Sequence, residues 1–264
     1  MKRICRAMAA MFIAAHAYAA PLDHGDLVTL STRSGVTQGI FIESPIENPP
    51  FAVALYSGSS GAIKLDSTGA TAYQGNFLIR TAHYWIDKGY AVALVDMPSD
   101  HADGGDDQYR LSGDSLADQR AVVAELRKRF PRALVVLTGT SRGTVTVGSV
   151  LANDAGLADL YVLTSPVTIA SRSQPGISVL SFGNADPKKV LVVSNRNDRC
   201  PVALFSGGEQ LARRYGMTFV AEDSSDGTDN CGGRSPHGFF GIEKRVLDDI
   251  DGWMTAQRPA AAQQ

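Results

Sequence analysis

Beyond its first 20 residues the chain has no apolar run near the roughly 20 residues that cross a bilayer as a helix, so no transmembrane segment and no membrane insertion are expected. It has no basic surplus: 25 Lys and Arg stand against 27 Asp and Glu, which gives no reason to expect nucleic acid or an anionic membrane surface as a partner. Cysteine is scarce, with three in 264 residues, and histidine nearly so, with five. There is no sign of a repeat array or of disorder. Hydrophobic residues make up 44% and charged residues 20%, as in ordinary globular proteins, and the length suits one α/β domain. No metal and no cofactor are expected. The acidic, glycine-rich stretch from Asp100 to Asp107 lacks full EF-hand spacing and reads as a solvated loop beside the site, able to touch a substrate.

The N-terminus is a separate object. Lys2, Arg3 and Arg6 precede an apolar run from Ala7 to Ala15, and Ala17-Tyr18-Ala19 supplies a small-x-small cleavage pattern. This is the layout of a secretory signal peptide over residues 1–20. A domain over 21–256 and a disordered tail over 257–264 are expected to follow. Loss of the signal leaves 22 basic against 27 acidic residues, a net charge of −5, in a protein that is periplasmic or secreted. It also removes Cys5. Cys200 and Cys231 then remain, and an oxidising compartment favours a disulfide between them over two free thiols.

Strand-like and helix-like segments alternate after residue 26. Apolar runs at Leu27–Thr32, Val36–Ile42, Phe51–Tyr56, Tyr90–Val95, Ala133–Leu137, Leu160–Leu163, Val190–Val193 and Met217–Val220 predict eight strands. Helices are expected over about Asn76–Asp87, from Ser115 with Asp118 completing a capping box, and over about Arg142–Asn153, Val202–Tyr215 and Gly241–Thr255. Runs apolar on both faces and separated by helices indicate an α/β protein. Its mostly parallel central sheet of about eight strands carries helices on both faces. Ligands of such sheets bind at the carboxyl ends of the strands.

One motif sits at such an end. Gly139-Thr140-Ser141-Arg142-Gly143 follows the strand Ala133–Leu137 and opens a helix, which matches a G-x-S-x-G nucleophile turn. A serine hydroxyl needs a base. In chains with this motif the order is serine, acid, histidine, and His237 is the single histidine beyond Ser141. The acid must orient the imidazole. Asp154 and Asp159 lie too close to the nucleophile helix, and Asp186 precedes a strand. Asp198 follows the strand Val190–Val193 and is the first choice, with Asp223, Asp226 and Asp229 as fallbacks. A Cys200–Cys231 bridge would tie the acid loop to the histidine loop. The backbone N–H of Arg142, at a helix N-terminus, is a donor for a developing oxyanion. Arg142 and Arg196 read as solvated cations.

With the serine turn at Ser141, Asp198 after a late strand and His237-Gly238-Phe239 before the last helix, the chain resembles the α/β-hydrolase superfamily over about Leu27–Thr255. The resemblance implies a second oxyanion N–H in the loop Ser57-Gly58-Ser59-Ser60-Gly61, where Ser59 is chosen with Ser60 nearly equal. Ser57 departs from the histidine that relatives often carry there. A lid usually lies between the sixth and seventh strands, but only 26 residues separate Leu163 from Val190, so none of helical size is expected. The implied chemistry is hydrolysis of a small-molecule acyl ester through Ser141. Acyl transfer or peptide cleavage by the same three residues, or a non-catalytic binding role, are the alternatives.

Overall fold

The apolar runs of the sequence become strands closed in from both sides. The computed structural model describes residues 20–171, 174–224 and 229–258, so residues 1–19 of the expected signal peptide, Asp226 and residues 259–264 of the expected tail lie outside the described residues. Strands β1 (Asp26–Arg33), β2 (Val36–Glu43), β3 (Phe51–Tyr56), β4 (Ala91–Pro98), β5 (Leu134–Thr140), β6 (Leu160–Thr164), β7 (Val190–Asn195) and β8 (Thr218–Glu222) form one sheet in the order β1-β2-β4-β3-β5-β6-β7-β8. β2 runs antiparallel to β1 and β4, and the other neighbouring pairs are parallel. The expected eight strands are therefore present, with ends displaced by up to three residues. The sheet places the carboxyl ends of β3, β5, β6 and β7 side by side.

Every residue of β3, β6 and β7 is buried, and alternate side chains feed two cores. On one face Ala52, Ala54, Val135 and Leu137 meet Val122 and Leu126 of α4 (Gly113–Arg129) and Val147 and Val150 of α5 (Gly143–Asn153). On the other, Phe51, Val53 and Leu55 meet α1 (Phe77–Arg80), Trp85 of α2 (His83–Asp87), and Val246, Ile250 and Met254 of the C-terminal helix Glu243–Ala256. Leu22, just past the expected cleavage site, is 1% exposed in this second core.

Two helix boundaries differ from expectation. The helix expected over Asn76–Asp87 begins with Asn76 as its cap but breaks at Thr81. The Thr81 hydroxyl donates to the Phe77 carbonyl at 2.7 Å, a bond that competes with helix propagation. The helix expected from Ser115 starts at Gly113, because Ser112 rather than Ser115 is the cap and accepts from the Ser115 N–H. Asp118 does not complete a capping box. It is fully buried, accepts twice from the Arg33 guanidinium at the end of β1 (2.8 and 3.0 Å), and accepts from the Tyr109 hydroxyl at 2.7 Å.

That pair anchors the β1–β2 hairpin to α4, where a carboxylate stripped of its cation would stay buried. Arg33→Ala is expected to destabilise the fold by about 3–5 kcal/mol in urea unfolding. Asp118→Asn combined with Arg33→Met is expected to cost clearly less than Arg33→Ala alone.

Candidate active site

The site is built from the turn that joins β5 to α5. Ser141 has a left-handed backbone, φ 51°, which costs energy in a residue with a side chain, and its N–H is tied to the Thr164 carbonyl of β6 at 3.0 Å. The flanking glycines are dictated by contact. A Cβ on Gly143 would lie 2.1 Å from the Tyr56 carbonyl oxygen at the end of β3, and one on Gly139 would lie 2.6 Å from the Gly143 carbonyl carbon. Gly58, two residues beyond β3, is packed just as closely, since its Cβ would sit 2.9 Å from the Ser141 Cβ.

His237 lies on a single 3-10 turn, Pro236–Gly238, and is 4% exposed. Its Nδ1 is 2.8 Å from Asp198 Oδ2, and the other carboxylate oxygen of Asp198 accepts from the Cys200 N–H at 2.8 Å. Both oxygens of a fully buried carboxylate are thus engaged, and Nδ1 is assigned as the donor to it. Among the described residues, Nε2 is buried with no hydrogen-bond partner. Ser141 and His237 line one cleft of about 450 Å³, with Ser59, Tyr73, Phe77 and Arg234 on its walls.

The histidine turn is held by its carbonyls. The Asn195 side chain, at the end of β7, donates to Pro236 O at 3.0 Å. The Ser165 hydroxyl, just past β6, donates to His237 O at 2.7 Å, and Arg80 of α1 donates to Gly238 O at 2.7 Å. Burial pulls the Arg80 pKa down, and its partner Glu243, at 2.9 Å, opposes that shift. Phe239 follows in a left-handed conformation, fully buried against Phe77 with ring centroids 5.0 Å apart. Sequence reasoning passed over Ser165 and Asn195, although each ends or follows a strand at the carboxyl edge. No local signal marks Arg80.

The two fallback acids among the described residues are engaged elsewhere. Asp223 accepts from the Asn197 amide at 2.7 Å, and Asp229, although on the cleft wall, accepts from the Cys231 N–H at 3.2 Å. Cys200 and Cys231 form a disulfide, with Cα atoms 4.7 Å apart, which joins the acid loop to the cleft wall. Of the two candidate loop donors, Ser59 lines the cleft of Ser141, whereas Ser60 lines a neighbouring cavity. The hydroxyls of Ser59 and Ser60 hold the Tyr73 phenol below its ordinary pKa.

Two surface readings need correction. Arg142 is not a solvated cation, because its guanidinium meets the fully buried Asp107 at 2.7 Å. Arg196, by contrast, is exposed as expected, with its guanidinium over the Phe205 ring at 4.8 Å. The stretch Asp100–Asp107 is likewise more than a solvated loop. Asp100 pairs with Arg33, Asp103 with Lys64, and Asp106 caps a short helix, α3 (Asp107–Arg110). Among the described residues, no group of three or more His, Cys, Asp or Glu side chains is disposed to hold a metal ion.

No family model and no curated protein matches the sequence. Solved structures do match the fold. XC6422 of Xanthomonas campestris, an α/β serine hydrolase without a lid, superposes with a TM-score of 0.59 at 17% identity, over 87% of this chain and 97% of its own. The Pyrococcus furiosus esterase Pf2001 gives 0.61 at 13% identity, over 91% and 99%. The acylaminoacyl peptidase of Pyrococcus horikoshii gives 0.60 at 14% identity, over 87% of this chain but only 41% of the peptidase. The chain has the α/β-hydrolase fold. Between β6 and β7, where no lid of helical size is expected, the described residues form two short 3-10 turns and no α-helix.

Two outcomes follow. Cys200→Ser with Cys231→Ser is expected to lower unfolding stability by about 2–4 kcal/mol, measured under non-reducing conditions. Ser165→Ala leaves the buried His237 carbonyl unpaired and is expected to cost about 1–3 kcal/mol in the same assay.

Proposed function

We propose that the protein is a serine hydrolase that cleaves an ester-type acyl bond through an acyl-enzyme on Ser141. The observation that carries this reading is the buried 2.8 Å Asp198–His237 contact, with Nε2 of the same ring unpartnered and His237 lining the same cleft as Ser141. In this reading Nε2 takes the Ser141 proton as Oγ attacks the acyl carbon. The N–H groups of Arg142 and Ser59 receive the negative charge that develops on the carbonyl oxygen. The tetrahedral adduct collapses, and His237 passes its proton to the departing alcohol as the C–O bond breaks. A water, deprotonated by the same nitrogen, then releases the acid and restores Ser141. Asp198 holds the tautomer with the proton on Nδ1 and stabilises the imidazolium that forms twice per cycle.

The unlidded cleft favours small, soluble acyl substrates over an interfacial lipid. Acyl transfer and peptide cleavage would use the same three residues, and the peptidase likeness keeps the second of these open. Export by a signal peptide within residues 1–20, to the periplasm or beyond, belongs to the same proposal. The disulfide is compatible with it, as is the lack, among the described residues, of any helix long and apolar enough to cross a membrane.

A fluorophosphonate probe on the folded, disulfide-bonded protein is expected to label Ser141 by peptide mapping, and His237→Ala to abolish the label. Ser141→Ala is expected to cut hydrolysis of p-nitrophenyl acetate by on the order of 10⁴-fold or more. An unlabelled wild-type protein would favour a binding role instead.

A further inference from the structure

We propose that the single turn of α3 is a clamp that positions both oxyanion donors, with Asp107 acting on Arg142 and Arg110 acting on Ser59. The inference rests on the reading of those two N–H groups as the oxyanion hole.

The two ends of this four-residue helix reach different segments beside Ser141: the residue that follows it and the loop after β3. At its first residue, Asp107 Oδ1 accepts from Arg142 Nη1 at 2.7 Å, and Oδ2 accepts from the Gly176 N–H at 2.7 Å. Arg142 is the residue after Ser141, so a buried carboxylate holds its side chain from outside the turn. At the last residue, Arg110 is 2% exposed and its guanidinium is spent on three fixed acceptors. It donates to Ser59 O at 3.3 Å, Gly105 O at 3.2 Å and the Thr146 hydroxyl of α5 at 2.9 Å. Burial lowers its pKa to about 10, with Asp107 opposing, so it remains a cation at neutral pH. The Ser59 peptide is thereby tied to α5, the helix that the nucleophile turn opens.

Steric contacts close the assembly. The Gly105 N–H donates to Ser60 O at 2.9 Å. A Cβ on Gly61 would lie 2.6 Å from Arg110 Nη2, and one on Gly104 would lie 2.4 Å from the Ser60 side chain. Ser59 itself has a left-handed backbone, φ 56°, a conformation that persists in a serine only when its surroundings over-determine it. Arg110 supplies that constraint through the Ser59 carbonyl, and the conformation of residue 59 sets where its N–H points. Neither Arg110 nor Asp107 lines the cleft, so both act through another residue.

A donor placed loosely loses its effect chiefly in the transition state, which makes the proposal separable from general loss of structure. The test measures kcat and KM for p-nitrophenyl acetate, inhibition by a trifluoromethyl ketone that forms the tetrahedral adduct on serine, and the melting temperature. It compares wild type with Asp107→Asn, Arg110→Met, Arg110→Lys and Thr146→Val. The last replaces a hydroxyl with a methyl of the same shape and keeps the fold if the others do not. Arg110→Met and Asp107→Asn are expected to lower kcat by about 10- to 100-fold with KM within about twofold, and to weaken the ketone in step with kcat. Arg110→Lys is expected to restore part of the rate, and Thr146→Val to lower kcat several-fold. Folded variants with unchanged kcat overturn the clamp while the Ser141 reading stands, as does a fall in melting temperature without a selective loss of ketone binding. A wild-type protein that neither turns over the ester nor takes the fluorophosphonate overturns the reading of the site and the clamp with it.

Discussion

The rest of the site depends on one close approach of backbone to backbone, where Gly143 at the start of α5 packs against the Tyr56 carbonyl at the end of β3. No side chain fits between them. That contact, with the Ser141 N–H bonded to Thr164, brings three strand ends to a single point. It is also why the loop after β3 lies against Ser141, where a Cβ on Gly58 would sit 2.9 Å from the Ser141 Cβ. A larger residue at either glycine would drive the loop and the serine apart, and the geometry beyond them would have no fixed origin.

Around this point the buried charges fall into two self-contained groups. One is Asp198 with His237, whose carbonyls are gripped from β6, β7 and α1. The other is Asp107 with Arg142, beside Arg110 and its carbonyl acceptors. A buried charge without partners is costly, so each group is over-determined by hydrogen bonds. Among the described residues, no hydrogen bond or ion pair joins the two groups. The proposed base and the proposed oxyanion site can therefore be held rigidly without one constraining the other.

Much of this was legible in the chain because the physics is local. Strands buried on both faces must be apolar at every position, so Phe51–Tyr56 and Val190–Val193 stand out without any alignment. Ser141 was marked by a strand, two glycines and a helix in succession. His237 stood out because histidine is scarce, and Asp198 because it follows a strand; the structure brings the two into contact and sets His237 in the cleft that Ser141 lines. What was illegible depends on distant partners. Nothing near Asp118 reveals that Arg33, 85 positions away, claims its carboxylate. Nothing near Arg142 reveals Asp107, and Arg110 reads as a surface residue until the loop after β3 closes over it. The break at Thr81 was hidden because Leu78, Ala82 and Trp85 keep helical spacing across it.

The chain order of these groups has a consequence for when the site comes into being. The serine turn, its glycines and the clamp residues all lie in the stretch from Tyr56 to Gly176, whereas Asp198, Asn195, the disulfide and His237 come later. A chain emerging from the ribosome presents the proposed nucleophile long before the proposed base has been made. In that reading, Ser141 stays an ordinary alcohol until the last third has arrived and docked at the ends of β6 and β7. On the proposed mechanism, the order of synthesis alone would keep the unfinished chain chemically silent.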